Sequence, residues 1–504
     1  MRSIFNNIRL YLFFVLLFCL VVFSYGFALI RIGGVLPLTE VVLVILLVTI
    51  NWLRAGKFFI RNLKLLWPLW IWWILGFIHV LSDVPVHGIW ALRDGSQLIE
   101  SLFLIVALFM ATMPNFLLKF KWVLIVTALA MFASMIMLFF PNLVLLTPDI
   151  HQFAAMVHGS HAGVSLLFSW QTTAKLGFFL AMALLILAQG FGRESVIWCN
   201  FWVQVGWKIL IFVIVTYMFW VSIFVFQKRS VYLEAILLLA WVGIYARCWL
   251  LPWLCILGSF VLTHILTMAK ILVIGRIALP VALLTLVMHA GTIVHWMPKQ
   301  IHYPQYQVQV QTALHMSKPA PPAQPVYHHQ AGKFNQVVRE ATAGHKAISQ
   351  SQTTYRDNLK GASGGITLRI GWWKHIWHQT IHSWQGILWG QGFGVPLTDF
   401  HTPDGIVVRN PHNALFDVMG RMGLLGLLAW LSVQLTFLYT ACRLVLIFRK
   451  HRAPLSKNLF IIIVGYFLIA IPNFLTEPFF SYPYFCVPYY FFGGALLCMY
   501  LKLK

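Results

Sequence analysis

The sequence predicts an all-α, polytopic integral membrane protein with about 12 transmembrane helices, at roughly 20 apolar residues per span. Three observations predict it. Of the 504 residues, 60% are hydrophobic and only 10% are charged, where a soluble domain carries about 25% charged residues. The mean hydropathy is +0.81. The apolar residues also fall in long runs, separated by short basic or turn-rich stretches. The same figures exclude disordered, collagen-like and coiled-coil chains.

The first apolar run, Leu10–Ile30, follows Arg2 and Arg9, and Val35–Leu53 comes soon after. A cleaved signal peptide has a shorter apolar core, a small-residue cleavage site and a soluble sequel, so the first run reads as a retained helix. Further runs occupy Leu65–Leu81, Gln97–Ala111, Trp122–Phe140, Thr173–Ala188, Lys208–Phe226 and Val231–Ala246. Leu250–Thr267, Ile271–Ala290, Gly423–Phe448, Leu459–Pro472 and Tyr489–Leu501 complete the series.

Basic loops mark the cytoplasmic side. Arg54, Lys57, Arg61 and Lys64 form one cluster, Lys119 with Lys121 a second, and Arg193 with Lys208 a third. Arg449, Lys450, His451, Arg452 and Lys457 form the densest. With the N-terminus inside, alternation places Ser82–Ser96, Asn142–Gln171, the turn at Gln227–Ser230 and the long Thr292–Met422 segment outside. The runs exceed by one the number this orientation needs. Pro252 and the basic Lys270 and Arg276 make Leu250–Thr267 the candidate for a re-entrant or interfacial segment.

The long outer segment lies between the tenth and eleventh runs. Trp296–Ser363 is polar and rich in Pro, Gln and Ser, and reads as an extension with little fixed structure. Ile366–Trp389 is amphipathic and carries Trp372, Trp373, Trp377, Trp384 and Trp389, a pattern suited to the membrane surface. The organisation is thus residues 1–226, N-terminal membrane helices; 227–291, further membrane helices; 292–422, the outer segment; and 423–504, C-terminal membrane helices.

The balance of 36 Lys+Arg against 13 Asp+Glu gives a net charge of +23. Apolar spans separate these charges, so anionic lipid or a phosphate-bearing substrate is the expected partner, and nucleic acid is not. The seven cysteines lie in or beside apolar runs and read as small apolar residues, without a disulfide or zinc pattern.

Charged residues at a bilayer edge are costly and therefore candidates for function. Arg229, Arg369 and His412 stand out on the outer side. Arg229 sits in Gln227-Lys228-Arg229-Ser230-Val231-Tyr232-Leu233, and Arg369 in Leu368-Arg369-Ile370-Gly371-Trp372. Gly386-Ile387-Leu388-Trp389 leads into Gly390-Gln391-Gly392-Phe393-Gly394. His412 opens His412-Asn413-Ala414-Leu415-Phe416-Asp417, followed by Gly423-Leu424-Leu425-Gly426-Leu427. Together these four stretches resemble the O-antigen ligases and related O-antigen polymerases of bacterial envelopes. The resemblance covers about residues 200–450, and its most specific part is the His-Asn stretch. Lys228 departs from the family's usual Ser or Thr, and the Trp296–Ser363 insertion is long for it.

The resemblance implies a bacterial inner-membrane enzyme whose active site faces the periplasm. It would move a glycan from undecaprenyl diphosphate to a sugar hydroxyl of lipid A–core. The residue types suit that chemistry. A diphosphate leaving group needs its charge stabilised, which guanidinium does bidentately without losing its own charge. Arg229 and Arg369 could clamp it without a metal or other cofactor, and Arg409 is either a third contact or a surface charge. His412 is the natural base for the acceptor hydroxyl near neutral pH. Asn413 and Asp417 would support it, the latter by pairing with Arg421 four residues on.

No Asp-x-Asp occurs, and the outer acids Asp83, Asp94, Asp149, Glu340, Asp357, Asp399 and Asp404 stand isolated along the chain. His375, His378 and His382 share one helical face, a spacing open to zinc but better read as a polar stripe. The weaker His151, His158 and His161 group reads the same way. The Gly390–Gly394 stretch lacks the Lys-Ser/Thr of a nucleotide loop and reads as a tight turn. Glu40, Glu100, Glu234 and Glu477 read as partners for internal hydrogen bonds. Joining two lipid-linked repeats, or glycosylating a protein, would use the same residues. A transporter with a cationic path is a third reading, for which the internal repeats it predicts are not seen.

Overall fold

The computed structural model describes residues 2–23, 27–28, 30–32, 36–50, 52–113, 115–137, 170–194, 201–225, 229–246, 250–273, 364–398, 408–450, 454–477, 479 and 482–504. Most of the Asn142–Gln171 loop with its histidines, the Ile271–Ala290 run beyond Val273 and the Trp296–Ser363 extension lie outside them. So do Asp149, Glu340, Asp357, Asp399 and Asp404. The chain divides into two compact units. The first comprises Met1–Trp73, Ser96–Tyr306 and Leu431–Lys504; the second comprises Ile74–Gly95 and Gln307–Trp430.

The described residues form helices joined by turns, with one ribbon in which Arg31–Ile32 (β1) pairs antiparallel with Leu36–Pro37 (β2). The N-terminal helices are α1 (Arg2–Val22), α2 (Leu38–Val48), α3 (Trp52–Arg61), α4 (Leu63–His87), α5 (Ile89–Asp94), α6 (Ser96–Ser101), α7 (Phe103–Met110) and α8 (Phe116–Met137). Next come α9 (Trp170–Glu194), α10 (Phe201–Trp220), α11 (Arg229–Ala246) and α12 (Leu250–Val273). The C-terminal set is α13 (Gly364–Ile381), α14 (Trp384–Trp389), α15 (Ala414–Lys450), α16 (Pro454–Thr476) and α17 (Pro483–Leu503).

Six helices among the described residues are long and apolar enough to cross a membrane: Leu63–His87, Phe116–Ile136, Val205–Ile223, Ala414–Arg449, Leu455–Thr476 and Pro483–Leu503. Shorter apolar helices accompany them, including Asn7–Val22, Ser96–Met110 and Lys175–Ala188. These helices are consistent with a multi-pass membrane protein, because a helix satisfies its own backbone hydrogen bonds in hydrocarbon. Two runs gain detail from the structure. Leu250–Thr267 belongs to the continuous helix α12; Pro252 falls in its first turn, where a missing N–H costs no helical bond. The Gly423–Phe448 run is only the later part of α15, which begins at Ala414 and bends at Gly423.

In the first unit the core is built around α17. Its apolar window is 94% buried, against 33% for that of α15, so the one is a core helix and the other keeps most of its surface outward. α17 packs on α6, α7, α16 and α1. Phe13, Phe116 and Phe120 meet Phe491 at ring-centroid distances of 4.8, 6.2 and 5.2 Å. Close approach to α7 depends on Gly494: a Cβ there would lie 2.6 Å from both Ala107 Cβ and the Leu104 carbonyl oxygen. Small residues serve this purpose where helices have no hydrophobic force to draw them together. At the far end, Lys502 Nζ donates to the Ala111 carbonyl at 2.6 Å, placing a cation on the C-terminus of α7.

Several polar groups buried in this unit pair across helices. Trp73 Nε1 donates to Ser101 Oγ at 2.7 Å. Lys175 on α9 donates to Asn473 Oδ1 and pairs with Glu477 at 3.3 Å. Asn473 Nδ2 donates to Glu234 Oε1 on α11 at 3.0 Å. Glu234 and Glu477 thus occupy the internal bonds expected of them, with Lys175 as the cation between. Glu100 on α6 lies beside Glu40 and Cys486 of α17.

Replacing Gly494 by Val is expected to force α7 and α17 apart and to cost about 1–3 kcal/mol, the usual range for overpacking. Thermal unfolding of the detergent-solubilised protein should show a lowered midpoint, while Gly371→Val, at a site with open space around it, should leave the midpoint nearly unchanged.

Candidate functional site

The second unit contains three of the four sequence stretches singled out above. α13 supplies the first. Arg369 stands one turn before Trp372 and so shares its helical face. Trp372 is buried, and its ring lies 5.8 Å from that of His412. The next residue, Trp373, donates from Nε1 to the Pro411 carbonyl at 2.9 Å and stacks on Phe416 at 5.5 Å, nearly coplanar. The Arg-x-x-Trp helix thus grips the chain on both sides of His412.

His412 itself has φ 51°, in the left-handed region that a non-glycine side chain rarely adopts. Asn413 follows as the cap of α15: its Oδ1 accepts from Leu415 N at 2.9 Å and Phe416 N at 3.3 Å. The cap satisfies amides that a helix start leaves open. Together the cap and the two tryptophans hold the imidazole, half-buried, at the head of the helix.

One turn further along α15, Asp417 Oδ1 accepts from Arg421 Nε at 3.0 Å, the pairing expected from their spacing. Arg421 is 1% exposed, and its other donors are also taken. Nη1 reaches Asp94 Oδ2 at 2.9 Å and the Val395 carbonyl at 3.3 Å, and Nη2 reaches Asn410 Oδ1 at 3.0 Å. Asp94, at the end of α5, also receives Arg409 Nη2 at 2.7 Å. Arg409 donates in addition to the Gly394 carbonyl at 2.7 Å and lies over the Trp90 ring at 4.5 Å. Its guanidinium is therefore half of an ion pair with Asp94. Two cations and two carboxylates form one desolvated, charge-balanced network.

The third stretch, Gly390–Gly394, wraps this network. Gln391 N donates to the Gly420 carbonyl at 2.7 Å and Gly392 N to that of Arg421 at 3.0 Å. Phe393 N donates to Asp83 Oδ2 at 2.6 Å, and Gly394 N to Asp94 Oδ2 at 3.1 Å. These amides already serve carbonyls and carboxylates, so the stretch is a turn and not a phosphate cradle. Glycine is required for two reasons at Gly392: φ is 88°, and a Cβ would meet Asp83 Oδ2 at 2.7 Å. Gly423, at the bend of α15, has φ 62° and a Cβ position 2.5 Å from the Leu388 carbonyl group.

Arg229 opens α11 in the first unit, and its side chain lies outside the described residues. The structure thus brings together His412, Asn413, Asp417, Arg409 and the Arg369 helix. Asp83, Asp94 and Arg421 are the residues that sequence reasoning passed over as site-builders. The two acids are isolated only along the chain. Their placement in the outer loop of an acid-poor protein was the one available signal. Among the described residues, no group of three His, Cys, Asp or Glu side chains could hold a metal ion, and His375, His378 and His382 do not form one. No protein-family model matches the chain, and no curated protein matches it.

Removing the shared carboxylate by Asp94→Ala leaves Arg421 buried without its main counter-charge and is expected to cost about 3–5 kcal/mol. Asp417→Ala and the double variant complete a cycle. Denaturation midpoints should show strongly non-additive losses, because both acids serve the same guanidinium.

Proposed function

We propose that this chain is a glycosyltransferase of the O-antigen ligase kind, moving a glycan from undecaprenyl diphosphate to a sugar hydroxyl of lipid A–core. It would sit in a bacterial inner membrane with about 12 spans, and the segment carrying Arg369 and His412 would face the periplasm. One observation carries the reading: the Arg-x-x-Trp helix and the His-Asn stretch meet within one unit, with the Trp372 ring against His412.

In this reading His412 accepts the proton of the acceptor hydroxyl. The acceptor oxygen forms the new bond to the anomeric carbon as the bond from that carbon to the diphosphate oxygen breaks, with inversion. Undecaprenyl diphosphate leaves with the electron pair. Arg369 stabilises the charge that develops on it, the role that the resemblance gives Arg229 as well. Arg409 and Arg421, tied to Asp94 and Asp417, act one layer behind by holding the Gly390–Gly394 turn and the head of α15 in place. The cationic groups do work that a divalent ion does in many other transferases, so none is needed for this step.

The test is transfer by the purified protein, in EDTA, from undecaprenyl diphosphate glycan to lipid A–core. His412→Ala should lower the rate by about 10²–10⁴-fold, the range for a lost general base. Arg369→Lys should not restore what Arg369→Ala loses, since a point charge cannot replace a bidentate contact. Full activity in His412→Ala would remove the base assignment. Product formed only from two lipid-linked repeats would make the protein a polymerase with the same chemistry, and no transfer to any acceptor would end the reading.

A further inference from the structure

The second unit also contains a cavity of about 380 Å³ that the transfer chemistry does not use. It lies within the range of small-molecule sites, about 300–1,000 Å³. One wall is the C-terminal part of α4, where Ile78, His79, Ser82 and Asp83 share a face; the other is Gln385, Trp389 and the turn Gly390–Gly392. Trp389 packs one side of its ring against His79 at 5.1 Å and remains 40% exposed. Asp83 is fixed by the amide of Phe393 through one carboxylate oxygen. Gln391 is fixed by Gln379, its Nε2 donating to Oε1 at 2.8 Å. The lining therefore combines an aromatic surface with a carboxylate, two carboxamides, a hydroxyl and an imidazole. Among the described residues no Lys or Arg lines it, although the chain carries 36 of them.

We infer that this cavity is a binding subsite for one uncharged sugar unit. A pyranose presents an apolar face to an aromatic ring and vicinal hydroxyls to a carboxylate and to amides, which can each donate to or accept from neighbouring hydroxyls. A diphosphate does not fit: Asp83 would repel it and no cation would compensate. The ligand class follows from the cavity. Its role, holding a sugar of the donor glycan or of the acceptor, rests on the transferase reading above.

The experiment uses the full-length protein in detergent and saturation-transfer NMR with methyl glucoside, methyl galactoside and N-acetylglucosamine as probes. At least one should bind saturably, inorganic pyrophosphate should not displace it, and Gln385→Ala or Trp389→Leu should weaken it by about fivefold or more, what a lost hydrogen bond is worth. Gln385 is exposed at the surface of the short helix α14, so its variant is expected to fold. In the transfer assay the same variants should raise KM for the donor or for the acceptor, whichever occupies the cavity. Absence of saturable binding by all three probes, equal binding in both variants, or displacement by pyrophosphate overturns the inference. Sugar binding that depends on Gln385 and Trp389 in a protein that transfers nothing would keep the subsite and overturn the transferase reading instead.

Discussion

The Asp94 carboxylate is the interaction on which the second unit depends. It receives Arg409, Arg421 and the amide of Gly394, joining α5, the glycine turn and α15 at one point. A carboxylate taken from water needs such partners to repay its desolvation, and the buried Arg421 and half-buried Arg409 need it in return. Arg421 is the denser node, since it also donates to Asp417, Val395 and Asn410. Such a network tolerates few alternative arrangements, because any displaced member leaves a charge in a low-dielectric interior.

The same economy runs through the first unit. The chain has 13 acids, and the ones the structure describes are largely internal. Glu234 and Glu477 flank Asn473 and Lys175, and Glu100 faces Glu40 and Cys486. Apolar helices packed by dispersion alone have weak preferences for register, and polar pairs across them supply it. The core helix α17 shows the other half of the arrangement. Its glycine approach to α7 and its phenylalanine cluster fill space closely, and its terminal lysine closes the end of a neighbour.

Within the second unit, charge and polarity are segregated. Arg421 and Arg409 face carboxylates, the Arg369 helix leads towards His412 through Trp372, and among the described residues no cation lines the cavity beside Trp389. A lipid-linked glycan has the same division, an anionic diphosphate joined to uncharged sugars. In the reaction proposed above, each part of such a substrate would meet a chemically distinct surface.

The helical, membrane-spanning class was legible in the sequence because hydropathy is a local property: runs of apolar residues near 20 long have few other uses. The His-Asn cap, the Asp417–Arg421 pair and the need for glycines at a turn were legible for the same reason, each resting on neighbours within a few residues. The bend of α15 at Gly423 was not, nor was the continuity of α12 through Pro252, because both depend on whether a residue falls in the first turn of a helix or inside it. Least legible was the site itself. Asp94 meets Arg409 and Arg421 across 315 and 327 residues of chain, and Asp83 meets Phe393 across 310. An ion pair leaves no periodic trace in sequence, and an isolated acid in an outer loop looks solvated until the fold removes its water. Residue types and local geometry are set by the chain; which charges lose their solvent together, and so must pair, is decided only by tertiary packing.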